Sequence, residues 1–359
     1  MRSIILSFSL AIVAASTTTA LPLNLSNPTS GPVPGESSIY SDYDGKASPF
    51  PAYLKAPIPA LTSGPPGLDD LLFQNLLSAE WVIFSFYQAG VEAFNASSFT
   101  DAGYPNTTYS RLASIRDNEA GHLRIFQDQI SPTSLKPGPC VYKFPFTSPK
   151  AFLALQVLIE VSSMAFLTGM VQESRTGSTS GALVAVAEVE TRHNTWALID
   201  IWKTDPFSGP ADTVFPYANQ ILDMTNIFIV PGSCPAENPI YPNPTQHLPM
   251  MSFNASLPGF TGQPGSPIQF TYNNSTGGKV QPQFACGKDY YAVYFHGVDN
   301  ISVPFDTKTA TSTIPAAFEG KGVIIAVIAD EEGAPTLESV VAGPLVLLEQ
   351  PGVLTKELA

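Results

Sequence analysis

The chain has 359 residues, 44% of them hydrophobic and only 13% charged, with a formal net charge of -13. That length and apolar content suit two packed domains and exclude disorder throughout. Few basic residues and no Lys/Arg-rich run argue against nucleic acid or an anionic membrane as partner, so the acidity reads as a solubility device.

Residues 1–20, MRSIILSFSLAIVAASTTTA, combine one Arg, a short apolar run and small residues before Ala20, the pattern of a secretory signal peptide. The run is too short to span a bilayer, and no later stretch reads as a membrane span. The C-terminal KELA is neither a lipid-anchor tail nor a retention signal. The expected location is secreted, extracellular or cell wall.

Seven N-x-S/T acceptors, at Asn24, Asn95, Asn106, Asn254, Asn273, Asn274 and Asn300, agree with passage through the secretory route. Three cysteines allow one disulfide within the chain. Cys140 and Cys234 sit in similar loops, PGPC and PGSC, which pairs them and leaves Cys286 free.

Residues 21–66, rich in Pro, Ser and Gly, read as a linker or surface strap. A first helix is expected over LDDLLFQNLLSAEWVIFSFYQAGVEAF, with Asp69 as N-cap. A second begins near Asn106 to Thr108 and stops at Ser131-Pro132. The Pro-rich stretch to Ser148 is too long for a tight hairpin and reads as a crossover. Ser148 caps a third helix with Pro149 in its first turn, and the fourth is SGALVAVAEVETRHNTWALIDIWK, closed by Asp205-Pro206. YANQILDMTN is one further short helical possibility.

From about residue 246 the period changes to two. PIQFTYNN, YYAVYFHGV, GVIIAVIA and PLVLLEQ are short, β-branched or aromatic, and separated by turn residues, the signature of an antiparallel sandwich. The expected fold class is α+β multidomain: a four-helix bundle with a Pro-rich extension over 67–245, then an all-β immunoglobulin-like sandwich over 246–359.

Six residues stand out within the helices: Glu80, Glu119 with His122, Glu160, and Glu190 with His193. Residues three apart on a helix share a face, so each Glu-x-x-His can address one centre. The neighbours on those faces are apolar: Ile83 and Phe84, Ile115 and Phe126, Met164, Val186 and Ala197. An acid on such a face needs neutralising, because an unpaired buried carboxylate is expensive. A single Glu-x-x-His would read as a surface pair. Two, in alternate helices, with a lone Glu central in each remaining helix, reproduce the ligand formula of dinuclear carboxylate four-helix bundles.

Four carboxylates and two imidazoles without thiolate favour two iron or manganese ions over zinc. Asp117 and Glu188 are turned off the ligand face, and Glu92 and Glu173 lie near helix ends. Asp200, seven residues after His193, is weighed as a support for the ligands against a surface acid. Tyr87, seven after Glu80, is weighed as a donor to them against an ordinary core tyrosine. His247 and His296 read as structural, and no phosphate loop or nucleophile motif is present.

The segments AEWVIFSFY, RDNEAGH, IEVSSMAFLTG and VETRHNTW resemble the secreted ferritin-like family that includes fungal stress-response and late-sexual-development proteins and plant desiccation-related proteins. The resemblance covers residues 68–235. It implies a ferritin-like bundle with metal ligands at Glu80, Glu119, His122, Glu160, Glu190 and His193. Relatives carry a second Glu three residues after the first, where this chain has Ile83. The expected function is redox chemistry on a small oxidant, peroxide or dioxygen, in stress or development, in the manner of a catalase or oxidase. The alternative is a non-catalytic metal-binding structural or cell-surface protein whose β domain binds a partner. Iron storage in a cage ranks below both, since an appended domain and glycans would obstruct a shell.

Overall fold

The computed structural model describes residues 56–212, 217–239, 248–273, 281–297, 299–348 and 354, apart from the side chain of Asn219. The signal-peptide segment, Asn24, His247 and Asn274 lie outside the described residues, as does most of the 21–66 segment.

The helices are α1 (Asp70–Ala93), a short α2 (Ala96–Asp101), α3 (Thr108–Gln129), α4 (Pro149–Met170), α5 (Gly177–Trp196) and α6 (Ala218–Met224). Ser148 caps α4 by accepting from Ala151 N at 3.2 Å, with Pro149 following. α5 begins a few residues earlier than the sequence suggests, because Thr176 supplies its cap. The short α2 was not anticipated; Asn95 starts it with a reciprocal capping box.

Asp69 does not cap its own helix. Its carboxylate accepts from Arg175 N at 2.9 Å, Thr176 N at 3.2 Å and Thr179 Oγ1 at 2.6 Å, fastening the start of α1 to the start of α5. Its neighbour Asp70 accepts from Gly67 N at 2.7 Å, Ser131 N at 2.9 Å and Ser134 Oγ at 2.6 Å. The two adjacent acids thus tie α1 to two interhelical connections, each through charge-assisted bonds.

The crossover after α3 is also tied down. Cys140 and Cys234 form a disulfide and Cys286 is exposed and free. Beside the disulfide, Lys143 N donates to Phe228 O and Val230 N to Val141 O. Ile58 exchanges two backbone hydrogen bonds with Lys136 on the same crossover.

Gly90 lets α1 approach α4: a Cβ there would overlap the ring of Phe152. Phe152 stacks on Phe86 with centroids 4.5 Å apart, in an aromatic cluster that closes this end of the bundle beside Tyr87.

By length and composition, residues 149–173 are apolar enough to cross a bilayer, contrary to the expectation that no stretch after the first twenty residues would be. Here 83% of the most apolar window is buried inside the protein, so α4 is the core helix of the bundle.

The β region consists of two antiparallel sheets. A three-stranded sheet contains β1 (Met250–Phe253), β2 (Pro267–Asn273) and β5 (Thr311–Thr313) in the order β1-β2-β5. A four-stranded sheet contains β3 (Tyr291–His296), β4 (Asp299–Pro304), β6 (Val323–Ala329) and β7 (Val340–Leu348) in the order β4-β3-β6-β7. Pairs such as Val293 with Val327 and Ile325 with Val346 set its register.

The four-stranded sheet is covered on both faces, which explains why β3 and β6 are almost continuously apolar instead of alternating. Val293, Phe295, Ile325 and Val327 join the core of the helices. Ala292, Tyr294, Ile324 and Ala326 pack beneath the smaller sheet. The helices and this sheet therefore share one apolar core. His296 ends β3 with Nδ1 3.0 Å from Val323 O, a backbone partner that suits the structural role expected of it.

Candidate metal centre

The six residues come from four helices: Glu80 from α1, Glu119 and His122 from α3, Glu160 from α4, and Glu190 and His193 from α5. All four carboxylates are fully buried, and the two histidines are 4% and 5% exposed. The apolar neighbours named above are buried with them. Amphipathic phase explains the clustering: each ligand lies on the stripe its helix turns into the bundle.

The side chains form two overlapping groups. Ligand atoms of Glu80, Glu119, His122 and Glu190 lie within 4.8 Å of one another, and so do those of Glu119, Glu160, Glu190 and His193. Glu119 and Glu190 belong to both. His122 Nδ1 lies 3.0 Å from Glu119, 3.3 Å from Glu190 and 3.5 Å from Glu80. His193 Nδ1 lies 3.0 Å from Glu119, 3.3 Å from Glu190 and 3.5 Å from Glu160. The two halves have matching geometry, as the repeated Glu then Glu-x-x-His order predicts.

Among the described residues, both carboxylate oxygens of Glu80 and of Glu190, one each of Glu119 and Glu160, and His193 Nδ1 are buried without a hydrogen-bond partner. So many unsatisfied acceptors in one place would be costly if nothing bound them. The donor set is hard and oxygen-rich, and it could hold metal ions.

Without metal, the charges in the cluster redistribute. Burial, reinforced by the charge of Glu119, pushes Glu80 well above the ordinary carboxylate range. Burial and Glu190 do the same to Glu160. Burial also acts to raise Glu119 and Glu190, but the facing histidines outweigh it and hold both below the ordinary range. Desolvation opposes charge on His122 and His193, yet Glu119 and Glu160, respectively, lead the interactions that raise both well above the usual imidazole value.

The surroundings of the two halves differ. Tyr87 donates its hydroxyl to Glu160 Oε1, and its own ionisation is pushed well up by burial and by that carboxylate. Asn118 Oδ1 lies 3.1 Å from His193 Nε2. An amide oxygen there accepts from Nε2–H, so once the ring is neutral Nδ1 is the nitrogen left to face a metal. Tyr87 is thus a donor to a ligand as well as a core residue. Asn118 was missed, since a lone amide beside an acidic run carries no periodic signal.

Asp200 does not support the ligands. The end of α5 passes into a π-helical turn over Ala197–Ile201, with Trp202 N donating to Ala197 O. The wider turn shifts the helical phase, so position 200 leaves the ligand face and its carboxylate pairs with Arg111 near the surface. Asp117 sits beside Arg116, Glu188 is exposed, and Glu92 accepts from Gln88 at 2.6 Å. Ile83 is buried in the bundle core.

Residues 69–199 match the ferritin-like domain family. The matched span begins at the Asp69 clamp, contains all six candidate ligands and ends within the π-helical turn, before the β region. No curated protein matches the chain.

Proposed function

We propose that the bundle holds two iron or manganese ions and that the chain is a secreted oxidoreductase acting on peroxide or dioxygen. The observation that carries this reading is the pair of overlapping ligand groups sharing Glu119 and Glu190. Glu80 and His122 would help to hold one ion and Glu160 and His193 the other, with Glu119 and Glu190 available to both. Bound there, such ions supply Lewis acidity and electron exchange with a small oxidant.

Complete burial of the four carboxylates favours a small species such as dioxygen or peroxide over a bulky substrate. Dismutation of peroxide to water and dioxygen suits it, because that reaction needs no other reductant. Tyr87 holds a proton at Oη against Glu160, and Asn118 orients His193. The Cys140–Cys234 disulfide supports an oxidising compartment, and Asn95, Asn106 and Asn300 are exposed for glycans. We also assign the two sheets to an immunoglobulin-like sandwich, on the basis of their antiparallel pairing around a shared core.

The test is metal analysis of the secreted protein, followed by oxygen release from peroxide with Glu119→Ala as control. Two ions per chain and turnover abolished by the substitution are expected. Absence of metal after growth in metal-replete medium overturns the reading. Two ions without turnover would favour a metal-stabilised structural protein, a reading that the same deep burial supports.

A further inference from the structure

A cavity of about 220 Å³ lies between the helices and the four-stranded sheet, outside the metal centre. Val161 and Ala165 of α4 and Leu198 of the π-helical turn after α5 wall it on one side, and Phe295 and Ile325 of the sheet on the other. The polar group of Thr191 is already spent on Ala187 O at 2.9 Å and Met164 Sδ at 3.2 Å. Val157, Val161, Ala165, Leu198, Phe295 and Ile325 make most of the remaining lining between helices and sheet apolar, which favours the hydrocarbon part of an organic guest.

The mouth is chemically different. The loop 205–212 contributes Asp205 and Asp212 to the lining, and among the described residues no Lys, Arg or His lines the cavity. The loop is laid closely on the sheet: a Cβ at Gly297, where φ is 61°, would lie 2.6 Å from Asp212 Oδ1. Asp205 is exposed and fixed by accepting from Phe207 N at 2.9 Å. Below the mouth, Asn194 Oδ1 is buried with no hydrogen-bond partner among the described residues, an acceptor beside the same cavity.

We propose that this cavity binds a small apolar primary amine, its hydrocarbon body between α4, α5 and the sheet and its ammonium group at Asp205 and Asp212. The volume corresponds to roughly seven waters at about 30 Å³ each, which suits a single ring with a short arm. The carboxylates select a cation over a neutral or anionic head, and the apolar walls supply the binding energy. None of the six candidate ligands lines the cavity, so the proposal does not rest on the metal reading.

The experiment is calorimetric titration of the whole chain with three probes sharing one ring: 2-phenylethylamine, 2-phenylethanol and 3-phenylpropionate. The amine is expected to saturate one site, the alcohol to bind about tenfold more weakly, and the carboxylate not to bind. Asp205→Asn with Asp212→Asn should reduce the amine to the affinity of the alcohol. Thr195→Phe, on the α5 wall, should block amine and alcohol alike. Gly209→Leu is a second block, at a mouth position where an added Cβ meets nothing within 4 Å. An amine that binds no better than the alcohol, a carboxylate that binds equally, or binding unaffected by either blocking variant in a folded protein overturns the proposal.

Discussion

Asn118 Oδ1 stands 3.1 Å from Nε2 of His193, on the side of the ring away from the carboxylates. It reaches across from α3 to α5, so one helix orients a ligand carried by another. Among the described hydrogen bonds His122 has no matching support on its own half, although the ligand distances in the two halves are the same.

Asn118→Ala is therefore expected to weaken metal binding by about 10- to 100-fold, the usual effect of removing a support behind a ligating histidine. Competition titration with a chelator of known affinity reads this directly. Unchanged affinity at both positions would show that packing alone orients His193. Asn118 is exposed, so the fold should survive.

Metal loading should expel protons. In the metal-free chain Glu80, Glu160, His122 and His193 all have pKa values raised above their ordinary ranges, so each holds its proton to a higher pH than a solvated carboxyl or imidazole. Ligation requires the deprotonated forms, so affinity should fall as the pH is lowered. Calorimetry in buffers of different ionisation enthalpy measures the protons released. Stripping the metal should lower the melting temperature, because ions that bind only the folded chain stabilise it.

Asp70 offers a stability test remote from the metal. Burial raises its pKa, but the hydrogen bonds from Ser131, Ser134 and Gly67 prevail and hold it below the ordinary value. Its folded pKa is depressed, so its contribution is fully present above the unfolded value near pH 4 and is lost as the pH falls through the folded one. Asp70→Asn should cost about 2 kcal/mol at pH 7. In urea denaturation the gap between variant and parent should close below about pH 4. A gap that persists at low pH would assign the loss to shape rather than charge.

Gly90→Ala places a methyl group against the Phe152 ring and should destabilise the chain by about 1–3 kcal/mol through overpacking. A paired change, Gly90→Ala with Phe152→Leu, should recover part of the loss. Thermal denaturation of both variants checks it.

Opening the crossover is the last test. The Cys140–Cys234 bridge spans 94 residues, and Cys140→Ser with Cys234→Ser is expected to cost about 2–4 kcal/mol. Chemical denaturation under non-reducing conditions measures it. A negligible loss would mean that the neighbouring hydrogen bonds alone hold the crossover to the 228–233 segment.

The sequence by itself determined the four long helical segments, the change of period near residue 246 and the six side chains of the centre. Those features are local: a 3.6-residue period places Glu119 with His122 on one face regardless of what that face meets. The strands it missed, β1, β4 and β5, are short or polar edge strands without a core-facing run. The tertiary structure alone decided that Glu119 and Glu190 are shared between the two groups, since that depends on how α3 and α5 approach. It also supplied Asn118, removed Asp200 through one π-helical turn, and gave the four-stranded sheet a helical cover on its second face. These outcomes rest on distances between elements distant in sequence, which no periodicity within a helix or strand encodes.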